Sequence, residues 1–185
     1  MMTEISLNIL DVAENSTRAN AKVVQITVEV NERNDLLTVV IEDDGCGMSE
    51  EQLEAVQDPF FTTRSTRKVG LGVPFFKEAA LDAGGTFDIK SSLGVGTVVT
   101  ATFQIGNIDR MPLGDITGVI HQLVVYHPES DFVYKYVFND KSFEMDTREF
   151  REVLGDIPFD SKEVSDYIRD YLTENKLATD GGKNI

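Results

Sequence analysis

The start of the chain has the hydrophobic pattern of one helix followed by two strands. Apolar or small residues recur at helical spacing at Ile5, Ile9, Val12, Ala13 and Ser16. Residues 23–30 then alternate between apolar and polar side chains, and a second strand is expected over 36–42 after a polar turn at 31–35. Each of these elements has one apolar face, so we expect a sheet with a helix packed on one side of it.

The pattern continues with further helices and strands. Ser49 is typical of a helix start, and Pro59 ends the segment that follows it. Residues 60–69 have no steady period and are expected to form a loop that leads into a helix near Pro74. Two more strands are predicted, over 86–90 and 97–105. Together these elements predict an α/β (α+β) two-layer sandwich over residues 1–106, with a mixed β-sheet covered by helices on one face.

Residues 107–174 are predicted to form a small α+β C-terminal region. Apolar spacing indicates a helix beginning at Ile116, and alternation indicates a strand over 132–138. Asn139 and Asp140 are typical of a hairpin turn. Two short helices are expected, over 147–154 and 161–172. The end of the chain, 175–185, is expected to be a disordered tail.

Composition excludes several classes of protein. The 185 residues carry a net charge of −15, and basic residues cluster only at Arg64, Arg67 and Lys68, so no nucleic-acid partner is expected. The single cysteine, Cys46, and two distant histidines do not have the spacing of a zinc or iron–sulfur site. No apolar run approaches the roughly 20 residues of a membrane span. We therefore expect a cytoplasmic protein that does not bind membranes.

The first helix has a second, polar stripe. Asn8, Asp11, Asn15 and Arg18 follow one another at intervals of three or four residues, so their side chains lie on one face. A carboxamide oxygen is the kind of hard ligand that Mg²⁺ prefers when it also binds nucleotide phosphates. Most polar helix faces are merely solvated. The stripe alone does not decide between these interpretations.

Asp43 ends the second predicted strand and is followed by Gly45 and Gly47 at alternate positions. An acid followed by glycines also describes many surface turns. Here the strand before it is apolar, so the carboxylate would lie in an apolar pocket, where it can accept a hydrogen bond from an exocyclic amine. The motif therefore favours a base-binding site over a simple turn.

Four motifs in this order resemble the ATP-binding domain of DNA gyrase, heat-shock chaperones, histidine kinases and mismatch-repair ATPases. They are Asn15 in the first helix, the run from Asp43 to Met48, the run from Gly70 to Val73, and Gly94-x-Gly96-Thr97 before a final strand. The resemblance covers roughly residues 3–106. The segment 58–63 is similar to the one that opens the nucleotide lid in histidine kinases, the branch that the chain resembles most closely.

The resemblance implies a Bergerat-type ATP-binding fold that holds ATP and Mg²⁺. It implies that Asn15 binds Mg²⁺, that Asp43 binds the adenine amine, and that Gly45 and Gly47 pack against adenine. The whole set of expected nucleotide-binding residues is Asn8, Asn15, Arg18, Asp43, Gly45, Gly47, Met48, Thr62, Thr63, Arg64, Lys68, Gly70, Leu71, Gly72, Val73 and Thr97.

Asp11 is the candidate catalytic residue. The resemblance places it where the hydrolysing members of the family have a glutamate that activates water. Aspartate is one methylene shorter, and a base misplaced by about 1 Å can lose roughly 100-fold in rate. We expect slow or absent hydrolysis of ATP.

The leading hypothesis for function is a protein-kinase-type regulator, of the histidine-kinase or anti-sigma-factor kind, that acts on a separate and unidentified protein partner. Two alternatives stay open: a non-catalytic ATP sensor, and a slow clamp-like ATPase. His121 and His127 lie after the predicted ATP domain. We interpret both as structural or surface histidines and not as phosphoacceptors.

Overall fold

A computed structural model describes residues 3–57 and 71–185. Within these ranges the helices are α1 Ile5–Arg18, α2 Glu50–Val56, α3 Gly72–Asp82, α4 Ile116–Tyr126, α5 Thr147–Leu154 and α6 Lys162–Asp180, with a short 3-10 helix at Glu32–Asn34. The strands are β1 Val23–Asn31, β2 Leu36–Asp43, β3 Phe87–Ser92, β4 Gly96–Gln104, β5 Asp131–Phe138 and β6 Lys141–Asp146.

The six strands form one mixed sheet in the order β3-β4-β2-β1-β5-β6. The β1–β5 pair is parallel and the other pairs are antiparallel. Alternate residues are buried along each central strand, as in Val24, Ile26, Val28 and Val30 of β1. Helices α3, α1, α4 and α6 contact one another in that order. The predicted two-layer α/β sandwich, with helices on one face of a mixed sheet, is confirmed.

The C-terminal region continues this sheet and is not a separate layer. β5 pairs with β1 in a register that places Phe132 beside Val24 and Tyr134 beside Ile26. Each of these four side chains is at most 1% exposed. The aromatic stripe of β5 is therefore part of the same core as the first strands. The predicted boundary at residue 106 does not divide the sheet.

The expected disordered tail is wrong, because α6 continues to Asp180. The Asp180 side chain is fully buried and accepts hydrogen bonds from Tyr136 Oη at 2.9 Å and Lys176 Nζ at 2.6 Å. Beyond the helix, Lys183 pairs with Glu32 at 2.8 Å. Tyr136 and Glu32 lie far from this segment in the sequence, so the local composition of 175–185 gave no indication of them.

The start of α1 is held by the segment that leads into α4. The backbone N–H groups of Ile5 and Ser6 donate to the carbonyls of Pro112 and Leu113, both at 2.9 Å. These amides have no partner inside their own helix, so the distant segment satisfies them. His121 joins α4 to α6 through Ser165, with Nε2 2.9 Å from the hydroxyl oxygen, as expected of a structural histidine.

In the ranges that the structure describes, no helix is both long and apolar enough to cross a membrane.

We predict that Asp180→Ala lowers the free energy of unfolding by about 2 to 3 kcal/mol, because it leaves a buried hydroxyl and an ammonium group without their acceptor. Asp166→Ala in the same helix is the control. Its ion pairs with Lys162 and Arg169 are exposed, and their loss costs less than about 1 kcal/mol. Denaturant unfolding measures both values. Equal losses would contradict the assigned role of Asp180.

Candidate functional site

A cavity of about 320 Å³ lies between α1, the end of β2, α2, the start of α3 and the β3–β4 hairpin. We call it the main cavity. Its wall is mostly apolar. The residues that line it are Val12, Asn15, Ser16, Arg18, Ala19, Ile41, Asp43, Cys46, Gly47, Met48, Gln52, Val56, Val73, Ile89, Thr97 and Val99. Among these residues, Asp43 is the sole carboxylate and Arg18 the sole cation.

Two hydrogen bonds fix the Asp43 carboxylate. Ser16 Oγ donates to Oδ2 at 2.5 Å, and the Gly45 backbone N–H donates to Oδ1 at 2.9 Å. Each carboxylate oxygen has a second lone pair, so the group keeps the capacity to accept from a ligand. Its apolar neighbours in the cavity wall, such as Ile41 and Val99, make such a hydrogen bond stronger than it is in water.

The turn after β2 packs backbone to backbone against the β3–β4 hairpin. Gly47 has a φ of 66°, and a Cβ there would lie 1.9 Å from the Ser92 carbonyl oxygen. A Cβ on Gly96 would lie 1.9 Å from the carbonyl oxygen of Asp43. Neither position has room for a side chain, so the two glycines allow this side of the cavity to close.

A hydroxyl pair joins the hairpin to the same turn. Ser91 Oγ accepts from the Met48 N–H at 2.9 Å and donates to the Gly96 carbonyl at 3.0 Å. It also lies 2.8 Å from Thr97 Oγ1. These bonds place the Thr97 hydroxyl in the cavity wall. Met48 and Thr97 both line the main cavity.

Asn15 and Arg18 lie together at the edge of the cavity. Arg18 Nη1 donates to Asn15 Oδ1 at 3.2 Å, and 64% of the Arg18 side chain is exposed. The described residues contain no cluster of three histidine, cysteine or acidic side chains able to hold a metal ion. Any cation at Asn15 would take most of its ligands from bound phosphates and water, as Mg²⁺ usually does.

The other half of the polar stripe does not line the cavity. The stripe from Asn8 to Arg18 extends about 15 Å along the helix axis, which is too far for all four side chains to meet one ligand. Asn8 is completely buried, with its Nδ2 3.5 Å from the Glu4 carbonyl oxygen, so its assignment to the nucleotide site is corrected.

Asp11 packs against the start of α3. A Cβ on Gly72 would lie 2.8 Å from Asp11 Cβ and 3.4 Å from Oδ2. Burial raises the pKa of Asp11, Arg18 lowers it and Glu14 raises it, with a net increase. Asp11 is not among the residues that line the main cavity. It is therefore poorly placed to act as a base there.

The helix expected near Pro74 is α3, which begins at Gly72. Leu71 precedes it and is exposed, whereas Val73 lines the cavity. Pro74 is the third helical residue, a position where the missing N–H would have had no partner inside the helix. Thr62, Thr63, Arg64, Lys68 and Gly70 lie outside the described residues.

The sequence analysis missed several residues of the site. Ser16 was assigned to the core alone, yet it bonds to Asp43. The sequence did contain a signal for this bond, because Ser16 is a polar residue on an otherwise apolar stripe of α1. Gln52 belongs to the capping box of α2, in which it bonds to Ser49, and the Ser49-x-x-Gln52 spacing predicts that box. Its place in the cavity wall depends on how α2 packs, which the spacing does not reveal.

Similar proteins were found in both sequence and structure comparisons. The sensor protein SrrB of Staphylococcus aureus is 35% identical over 101 residues, which are 52% of this chain and 17% of that protein. The chain thus spans less than a fifth of the length of such relatives.

Two solved structures share the fold. The N-terminal domain of a DNA repair protein has a TM-score of 0.55 at 13% identity, over 78% of this chain and 52% of that one. The Aquifex aeolicus MutL ATPase domain complexed with ADP has a TM-score of 0.52 at 14% identity, over 83% and 70%.

The family comparison agrees with the site geometry and covers more than half of the chain. Residues 1–107 match the family described as histidine kinase-, DNA gyrase B-, and HSP90-like ATPase. That range contains α1 and β1 to β4, which provide most of the lining of the main cavity. The chain therefore belongs to the family of histidine kinase-, DNA gyrase B- and HSP90-like ATPases.

Proposed function

We propose that this chain is a regulatory protein that binds Mg·ATP in the main cavity and transfers its terminal phosphate to a separate protein. The observation that carries the proposal is the Asp43 carboxylate, held by Ser16 and Gly45 in an apolar cavity. Membership of a family of ATPases supports ATP as the ligand. Similarity to the sensor protein SrrB favours a role in signalling.

Adenine fits the chemistry of the cavity. Its exocyclic amine would donate to Asp43, and its faces would pack against apolar side chains such as Met48 and Val99. The Thr97 hydroxyl offers a second polar contact. A site built to pair with an amine rejects a base that presents a carbonyl there, because two acceptors would then face each other in an apolar surrounding.

The phosphates would extend toward Asn15, Arg18 and the beginning of α3. Free N–H groups at the start of a helix favour anions, and the backbone N–H of Val73 lies in the first turn of α3. Asn15 would hold the magnesium ion, which offsets phosphate charge. The Arg18 guanidinium would contact a phosphate oxygen directly, which its exposure permits.

Phosphate transfer fits the arrangement better than rapid hydrolysis does. Among the described residues that line the cavity, none is a carboxylate apart from Asp43. Asp43 is assigned to adenine, and Asp11 packs against Gly72. Asp11 is thus near the start of α3 but is not among the residues that line the cavity, so we expect it to activate water poorly. A partner protein brings its own acceptor group.

A second candidate function is an ATP sensor that changes its binding to a partner without transferring phosphate. It is favoured by the bonds from Pro112 and Leu113 to the start of α1. Those bonds connect the C-terminal region to the helix that carries Asn15 and Arg18. A shift of α1 on nucleotide binding would therefore reach that region.

Incubation of the protein and a cell extract with ATP labelled in its γ-phosphate separates these functions. Phosphate transfer predicts label on a second protein, and the Asp43→Asn variant should lose that label. A sensor would add no label beyond that seen in the extract alone. Rapid release of labelled phosphate by the purified protein would contradict the assignment of Asp11 and support an ATPase.

We predict that Asp43→Asn weakens Mg·ATP binding at least about tenfold, since a hydrogen bond to a charged group contributes about 1.5 to 3 kcal/mol. Glu42→Gln is the matched control. Glu42 is the preceding residue and lies exposed on the other face of the sheet, so the Glu42→Gln variant should bind Mg·ATP with unchanged affinity. Calorimetric titration measures both variants. Unchanged affinity of Asp43→Asn would remove the adenine assignment.

Asp11→Asn should change Mg·ATP affinity by less than about twofold, because Asp11 lies outside the cavity and asparagine preserves its shape. Asn15→Ala, one helical turn later, should weaken binding in the same titration since it removes the proposed magnesium ligand. A large loss for Asp11→Asn would place that carboxylate in the ligand shell.

A further inference from the structure

The loop after α4 is fastened to the turn between α1 and β1. Ser130 Oγ donates to the Ala21 carbonyl at 2.8 Å, and the Asp131 N–H donates to the Lys22 carbonyl at 2.7 Å. Ala19, in the same turn, lines the main cavity and accepts from the Cys46 N–H at 2.9 Å. This loop of the C-terminal region therefore lies directly behind one edge of the cavity.

His127, in this loop, contacts two carboxylates. Nε2 lies 3.0 Å from Glu14 Oε1, and Nδ1 lies 3.2 Å from Glu129 Oε1. A neutral imidazole donates from one nitrogen only, so its other nitrogen would face a carboxylate oxygen with a lone pair. The cationic form donates to both carboxylates. The geometry thus matches protonated His127.

The charges around His127 favour the same form. Burial lowers the pKa of His127. The hydrogen bonds and charges of Glu14 and Glu129 raise that pKa by more than burial lowers it, so the net shift is upward. Two cations lie close by on neighbouring elements. Lys22 acts on Glu129, and Arg151 from α5 donates to the Pro128 carbonyl at 2.9 Å.

Glu14 connects His127 to the cavity. Its Oε2 lies 3.8 Å from Arg18 Nη2, and Arg18 in turn donates to Asn15. One carboxylate thus lies between two basic side chains. When His127 is protonated, it balances the charge of Glu14. When His127 is neutral, that negative charge acts on Arg18 alone and opposes any anion that Arg18 binds.

We propose that His127 is a positioning residue for the phosphate end of the nucleotide: by compensating Glu14 it leaves Arg18 available to the phosphates. This inference rests on the proposed binding of nucleotide in the main cavity. It makes the affinity for phosphate-bearing nucleotides depend on the protonation of His127, and it makes the affinity for the uncharged nucleoside independent of it.

The test compares wild type with His127→Gln by calorimetric titration with ADP and adenosine at about pH 6 and about pH 8.5, on either side of histidine titration. The ratio of ADP affinities, wild type over variant, should be about threefold at the lower pH, as expected for a partly exposed charge interaction. It should fall to about one at the higher pH, while the adenosine ratio stays constant. Ionisation of ADP itself cancels in the ratio.

The matched control is His121→Gln. His121 bonds to Ser165 between α4 and α6, and burial lowers its pKa. Because it does not contact Glu14, the ratio of ADP affinities, wild type over His121→Gln, should not change with pH. Glu14→Gln provides an independent variant if His127→Gln fails to fold, and it should bind ADP more tightly than wild type at about pH 8.5.

Three results would overturn the inference: an ADP ratio that does not change with pH, an adenosine ratio that changes as much as the ADP ratio, or weaker ADP binding by Glu14→Gln at the higher pH. In each of these cases wild type still binds ADP, and the proposed function stands. If wild type binds neither ligand, the proposed function fails together with the inference.

Discussion

The site depends on how the Asp43 carboxylate is held at the end of β2. Ser16 from α1 and the backbone of Gly45 each donate to one of its oxygens, so the position of the acid is set by a helix and a turn at once. The turn itself is fixed by its contact with the β3–β4 hairpin, which leaves no space for a side chain at Gly47. Helix, turn and hairpin thus meet around one acceptor, and the cavity is the space that they leave between them.

The C-terminal region contacts both ends of α1. Its linker accepts hydrogen bonds from Ile5 and Ser6 at the start of the helix, and His127 bonds to Glu14 near the other end. Both contacts are to the helix that holds Asp43 through Ser16. β5 also pairs along β1. The region after residue 106 therefore shares one sheet with residues 1–106 and helps to hold the elements that form the site.

Local patterns predicted most elements of the fold and singled out several residues that line the main cavity. Asp43, the glycines after it and the helix near Pro74 could be predicted because the pattern that indicates each of them lies within a few neighbouring residues. The parallel pairing of β5 with β1 and the buried Asp180 depend on partners distant in sequence, and no local pattern contains them. Asn8 was misassigned, and the bond from the buried Ser16 to Asp43 was missed, for a related reason. Helical periodicity separates an apolar face from a polar one, but it does not say which polar groups meet a cavity and which meet another element.

The proposed function depends most on recognition of the exocyclic amine of adenine by Asp43. Titration of the protein with ATP and with inosine triphosphate tests it most directly, because the two nucleotides differ at that position, where inosine carries an oxygen. We expect inosine triphosphate to bind at least about tenfold more weakly than ATP, since its oxygen would face the carboxylate. Equal affinities for the two nucleotides would contradict it.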